Sequence, residues 1–119
     1  MKLVSYRQHG ETKLGVVQAG KIVDLAAAAQ RFTAATGQEI LEGPFASMAD
    51  LLTSANEARE AAGGIAAWAL ENAADTIIDL ETAEIDVPLA NPGKIICIGL
   101  NYLDHIRETG LPKPEFPLH

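Results

Sequence analysis

The feature that most constrains this chain is the abrupt change of pattern at Asn91-Pro92-Gly93. Before it, short alternating runs and helical periodicities are separated by polar turns. After it comes an unbroken apolar run, Ile95-Ile96-Cys97-Ile98. A run of that kind, apolar on both alternating faces, predicts a strand buried on both sides, and such a strand needs partners to lie against. Proline and glycine just before it break any ladder or helix that would join the two parts. The tail closes the chain with Pro112, Pro114 and Pro117, a spacing that excludes both a helix and a central strand and predicts an extended path over another surface. The pattern therefore predicts a domain over 1–91 and the start of a second over 92–119.

The first part predicts an α+β unit. Leu3-Val4-Ser5-Tyr6, Leu14 to Gln18 and Lys21-Ile22-Val23 read as short strands, with Gly10 in one turn and Ala19-Gly20 in the next, a meander of hairpins. Asp24 stands where a helix N-cap is needed, ahead of an alanine-rich stretch that Gly37 ends. Gly43-Pro44 is a break. Ser47, with Asp50 three residues on, begins a further helix with Met48, Leu51, Leu52, Ala55 and Ala62 as its apolar face. Gly63-Gly64 is expected to interrupt it before a third helix carrying Ile65, Trp68, Ala69 and Ala73, with Trp68 in the core. Thr76 to Leu80 reads as a strand. Ile85, Val87 and Leu89 alternate with Asp86 and Pro88 as an edge strand, where proline's missing donor is tolerated.

Charge and cysteine usage exclude several classes. A formal net charge of −7 is spread along the chain, with no basic stripe for a nucleic-acid backbone or an anionic membrane. No apolar stretch reaches the ~20 residues of a membrane span, and the N-terminus lacks the apolar segment of a signal peptide, so the cytoplasm is the expected location. The single cysteine, Cys97, excludes an intrachain disulfide and reads as a core thiol.

Three clusters carry chemistry-bearing side chains. Glu81, Glu84 and Asp86 could attract a hard cation, but strand alternation separates Glu81 from the other two, and a solvated edge is the plainer reading. Glu57 and Glu60 beside Arg59 form an ordinary charged helix face. The third is Gly99-Leu100-Asn101-Tyr102-Leu103-Asp104-His105-Ile106-Arg107-Glu108-Thr109-Gly110. A glycine lets the chain leave the strand, Asn101 or Asp104 is placed to cap a short helix, and Gly110 to end it. His105 and Glu108, three apart, share a helix face, so the carboxylate could orient the imidazole as a general base for water. The plainer alternative is a surface ion pair. His9, in a turn, and His119, at the end, are expected in solvent.

The run from Pro92 to His105, with the following Glu108 and the proline-rich tail, resembles the opening of the catalytic domain of the fumarylacetoacetate hydrolase family, where a strand leads into a Gly-x-Asn-Tyr-x-x-His segment. The opening Met-Lys-Leu-Val-Ser-Tyr and the Gly-Lys-Ile-Val-Asp-Leu segment resemble, more loosely, the N-terminal domain of bacterial members. The resemblance implies a metal-dependent enzyme acting on 1,3-dicarbonyl and 2-oxo acid compounds, by hydrolysis of a carbon–carbon bond of acylpyruvate type, decarboxylation or isomerisation. It implies that His105 activates water, that Glu108 pairs with it on a lid, and that Asn101 and Tyr102 lie near the substrate. Mg²⁺ or Mn²⁺ and a homodimer are implied for the parent enzyme. The family's metal carboxylates, a Glu-x-Glu pair and a later Asp, have no counterpart here, so no metal ligand is expected in this chain. The expected architecture is thus a small β-meander with two or three helices, then the first strand and lid helix of an incomplete mixed-β catalytic domain. Such a chain, a fragment or truncated gene product, is expected to be inactive alone. The rival reading is a noncatalytic folding or oligomerisation module.

Overall fold

A computed structural model describes residues 1–116; Pro117 and His119, named above, lie outside the described residues. Among the described residues the chain is α+β. Three strands, β1 (Lys2–Gln8), β2 (Glu11–Gln18) and β3 (Lys21–Asp24), run into helix α1 (Leu25–Thr36). A 3₁₀ turn at Gly43–Phe45 precedes α2 (Met48–Thr53) and α3 (Asn56–Asn72). After a second 3₁₀ turn come β4 (Ile77–Asp79), β5 (Glu84–Ile85) and α4 (Leu103–Thr109). The sheet is antiparallel, in the order β4-β3-β2-β1-β5.

The meander forms because its turns have the right hand. His9 and Gly10 have φ of 53° and 83°, and Ala19 and Gly20 have 50° and 73°. Two successive positive φ values match the right-handed twist of the flanking strands, which is why two-residue hairpins use them. The register pairs Leu3 with Val16 and Ser5 with Leu14, which places Leu14 and Val16 on one face. That face meets α1 and α3 in a core of Leu14, Val16, Val23, Leu25, Phe45, Leu51 and Ile65. Ala28, Ala29, Ala62, Ala66 and Ala69 are buried with them, and small side chains let the helices pack closely. Trp68 sits edge-on to Phe32 with ring centroids 5.2 Å apart, so its core role holds, although both rings are only partly buried.

Gly15 lies on the opposite face, paired with Val4 on one side and Asp24 on the other. A Cβ there would collide with the Ile22 side chain and come within 3.1 Å of the Val23 carbonyl oxygen and 3.3 Å of Tyr6 Cε1. The missing side chain lets Tyr6 close over the sheet, where it is 1% exposed. Its hydroxyl then donates to Asp24 Oδ2 at 2.8 Å, and Lys13 Nζ reaches the same oxygen at 3.0 Å. Asp24 Oδ1 meanwhile accepts from the Ala27 amide at 3.0 Å, the N-cap expected from sequence. Burial, then the bond to Asp24, pushes the Tyr6 phenol well above its ordinary range.

Other expectations are met in detail. Gly37 ends α1 with φ of 72°, and the Ser47 hydroxyl accepts from the Asp50 amide at 3.2 Å. Four are corrected. Gly63-Gly64 does not interrupt the helix: α3 runs through it, because two adjacent glycines cost about 2 kcal/mol of propensity and the buried Ala62, Ile65, Ala66 and Ala69 stripe outweighs that. The break falls earlier, at Ser54-Ala55, leaving Leu52 and Ala55 exposed. The edge strand is short: β5 pairs only at Tyr6–Ile85 and Arg7–Glu84, since Pro88 stops the ladder. Finally, 95–98 is not a buried strand among the described residues. Ile95 and Ile96 are 80% and 79% exposed and Cys97 is an exposed thiol, not a core one, because no strand among the described residues pairs with them.

The chain is accordingly extended. Its radius of gyration is 18.9 Å, with extents of 63 × 31 × 25 Å, against roughly 14 Å for a compact chain of this length. Among the described residues, 1–88 hold nearly all the buried side chains, and Ile106 is the outlier beyond them.

Gly15→Ala is expected to lower unfolding stability by roughly 1–3 kcal/mol, the usual effect of overpacking. A denaturant titration checks this, and an unchanged midpoint would remove Gly15 from the account of how Tyr6 reaches Asp24. Lys21 pairs with Asp79 at 2.6 Å and holds its carboxyl below the ordinary range. The Thr12 hydroxyl, then the Val87 amide and Arg7, do the same for Asp86. Both contributions are present above the ordinary carboxylate range and are lost as pH falls through the lowered values. Stability measured on acidification should therefore fall less steeply in an Asp79→Asn, Asp86→Asn double variant than in the wild type.

Candidate functional site

The third cluster singled out in the sequence folds locally. The turn into it is strained: Leu100 has φ of 50°, a region that side chains other than glycine, asparagine and aspartate seldom occupy. Tyr102 precedes α4 in an extended conformation, and its carbonyl accepts from the Ile106 amide at 3.0 Å. Neither Asn101 nor Asp104 supplies a side-chain cap, a correction to the sequence reading. Asp104 is inside the first turn and bonds Arg107 Nη1 at 2.8 Å instead. Gly110 ends the helix in the left-handed conformation, φ 68°, as its position predicted.

Around this helix a small apolar nucleus forms. Ile106 is only 8% exposed, and it lines a cavity of about 330 Å³ with Ile98, Leu100, Leu103, Pro114 and Phe116. Asn101, Lys113 and Glu115 add polar groups to the same wall. The described part of the proline-rich tail carries no helix or strand, and its residues 113–116 come back beside α4. Of the four predicted site residues, Asn101 lines this cavity. Tyr102, His105 and Glu108 are exposed and do not.

His105 and Glu108 lie one turn apart on α4, on the side away from Ile106, as their spacing required. Among the described residues no hydrogen bond or ion pair within 4.0 Å joins them. The imidazole is presented to solvent rather than held by the carboxylate. The exposed ion pair on this helix is Asp104 with Arg107, a type worth about 0–1 kcal/mol. His105 and Glu108 stand on α4 and Asn101 and Tyr102 just before it, but the four do not share one enclosed pocket.

Among the described residues no three histidine, cysteine, aspartate or glutamate side chains gather closely enough to hold a metal ion. The described residues therefore do not fit Mg²⁺ or Mn²⁺, and no chemical step through a metal follows from them. In the acidic cluster, Asp86 is committed elsewhere, accepting from Arg7 Nε at 3.1 Å and Thr12 Oγ1 at 2.6 Å. That commitment was not readable from the sequence, because it depends on the β1–β2 register that sets Arg7 opposite Thr12.

No protein-family profile matches the chain. Individual relatives bear out the resemblance carried by the motif: the chain is similar to proteins with a fumarylacetoacetate hydrolase domain. Over 42 residues it is 43% identical to a mitochondrial oxaloacetate tautomerase of Xenopus laevis, an alignment covering 35% of this chain and 13% of that protein. A fumarylacetoacetate hydrolase domain-containing protein 2 homolog of Dictyostelium discoideum is 46% identical over 41 residues, 34% of this chain and 13% of that one. A human mitochondrial oxaloacetate tautomerase is 42% identical over 31 residues, 26% and 10%. The match thus spans about an eighth of these relatives' length or less.

In this chain, Ile106→Ala is expected to open the nucleus under α4 and raise amide exchange across Leu103–Thr109 by about tenfold or more. His105→Ala should leave that exchange within a factor of two, since its side chain is exposed. Equal effects of the two changes would contradict the division of α4 into a packed and a presented face.

Proposed function

We propose that the protein carrying this chain is an enzyme of fumarylacetoacetate hydrolase type acting on 2-oxo acids, and that His105 is its proton-transfer group. The observation that carries the reading is the presentation of His105 on α4, directly after the strained Leu100 turn, with Glu108 one turn away. Similarity to oxaloacetate tautomerases supports a 2-oxo acid substrate and an isomerase or hydrolase reaction. In tautomerisation a base removes a proton from the carbon beside the keto group. The electron pair forms a carbon–carbon double bond, and the keto oxygen gains a proton as the enol forms. In hydrolysis the same base takes a proton from water. A histidine serves either role because imidazole takes and returns a proton near neutral pH. Glu108 orients the ring once a substrate or lid closure brings the two together, and Asn101 and Tyr102 line the approach. In this reading 1–91 is the N-terminal domain and 92–119 begins the catalytic domain. The parent enzyme is a cytoplasmic homodimer with Mg²⁺ or Mn²⁺ as its metal, which would supply Lewis acidity to an oxo acid.

A second reading, a noncatalytic association module, is favoured by one observation: the exposed apolar side chains of Ile95, Ile96 and Ile98. The two separate in the full-length protein, assayed for oxaloacetate tautomerisation and acylpyruvate hydrolysis. His105→Ala is expected to lower turnover by roughly 10²–10⁴-fold with a smaller change in KM. Glu108→Ala should cost less, and the double variant little more than His105→Ala alone. Turnover within a few-fold of wild type in a folded His105→Ala protein would contradict the proposal.

A further inference from the structure

Segment 84–88 is fastened to the body in an unusual way. Its apolar side chains contribute little, since Ile85 and Val87 are more than half exposed. Polar bonds hold it instead. The Asp86 amide donates to the Ser5 carbonyl at 2.8 Å, and the Ser5 hydroxyl donates to the Pro88 carbonyl at 3.0 Å. Asp86 Oδ2 accepts from Arg7 Nε and Thr12 Oγ1, while Oδ1 accepts from the Val87 amide at 2.8 Å. One carboxylate therefore collects three donors and ties this segment to both β1 and β2. The strands beneath are held differently, by Tyr6, Leu14, Val16, Ile22 and Val23, all buried.

Two mechanisms of attachment in one sheet imply two opening free energies. A segment held by a two-pair ladder and a few polar bonds, those of the Asp86 carboxylate to Arg7 and Thr12 exposed, opens locally, without the exposure of apolar surface that global unfolding requires. Residues 87–91 also form one wall of a cleft of about 270 Å³, whose other side is Ser5, Thr12, Lys13, Ser47 and Met48. The wall can lift without disturbing the core, and the chain beyond it leads to α4.

We infer that 84–88 is a latch: Asp86, gripped by Arg7 and Thr12, fixes where the chain leaves the sheet, and its release frees 89–116 to swing while 1–83 stays folded. The inference is independent of the proposed chemistry, since it concerns where the His105-bearing arm stands and not what His105 does.

The chain carries its own probes, a single tryptophan, Trp68, in the body and a single cysteine, Cys97, in the arm. Time-resolved energy transfer from Trp68 to an acceptor on Cys97 reads the distribution of distances between them. Asp86→Ala is expected to broaden that distribution and to speed exchange of the 84–88 amides by about tenfold or more. Exchange of the Val16, Ile22 and Val23 amides should stay within a factor of two. Thr12→Val, at an exposed position, should give the same change in smaller measure. An unchanged distance distribution in both variants, or a loss of protection in β2 and β3 equal to that in 84–88, would overturn the latch.

Discussion

The fold depends on the Asp24 carboxylate. It stands at the point where the meander becomes a helix, and its two oxygens serve the two sides of that junction. One caps α1 through the Ala27 amide; the other takes the Tyr6 hydroxyl and the Lys13 ammonium from the neighbouring strands. A cap of this kind is worth about 0.5–2 kcal/mol. Its further value lies in geometry. The same side chain that starts α1 also fixes its direction relative to β1 and β2, so the helix descends onto the face bearing Leu14 and Val16. Gly15 is the companion constraint, because a Cβ there would collide with Ile22 and crowd the Tyr6 ring that reaches Asp24.

From that junction the rest of the body follows. α1 presents Leu25, Ala28 and Ala29, α3 packs its alanine stripe alongside, and the 3₁₀ turn at Gly43–Phe45 sets Phe45 into the core. The chain then returns to the sheet twice, as β4 beside β3 and as β5 beside β1. The second return is the weak one, closed by Asp86 and ended by Pro88. Among the described residues, none beyond it belongs to the core. Among the described residues the arm packs around Ile106, under a helix of seven residues, and leaves His105 and Glu108 exposed. Stability and candidate chemistry thus occupy different parts of the chain.

Much of this was legible in the sequence because it is local. The Asp24 and Ser47 caps, the glycine stops at Gly37 and Gly110, both hairpin turns and the spacing of His105 and Glu108 follow from chemistry within a few residues. What was not legible depends on partners distant in sequence. The apolar run at 95–98 has the composition of a buried strand, but burial requires a neighbour, and among the described residues none covers it. Asp24 was readable as a cap but not as an acceptor for Tyr6, which lies 18 residues away. Asp86 was read as one of a solvated acidic group, and its tie to Arg7 and Thr12 appears only once β1 and β2 are in register. Gly63-Gly64 shows the reverse case, a strong local signal overridden by the burial of the residues on either side.

The central claim is the division into a body that carries the stability and an arm that carries the candidate site. Amide hydrogen exchange across the whole chain at neutral pH tests it most directly. Amides of Val16, Ile22, Val23 and Ala66 are expected to exchange only through global unfolding, while those of Ile95, Ile96, Cys97 and Ile98 exchange within about tenfold of the free-peptide rate. Protection at 95–98 equal to that of the sheet, in a monomeric sample, would contradict it.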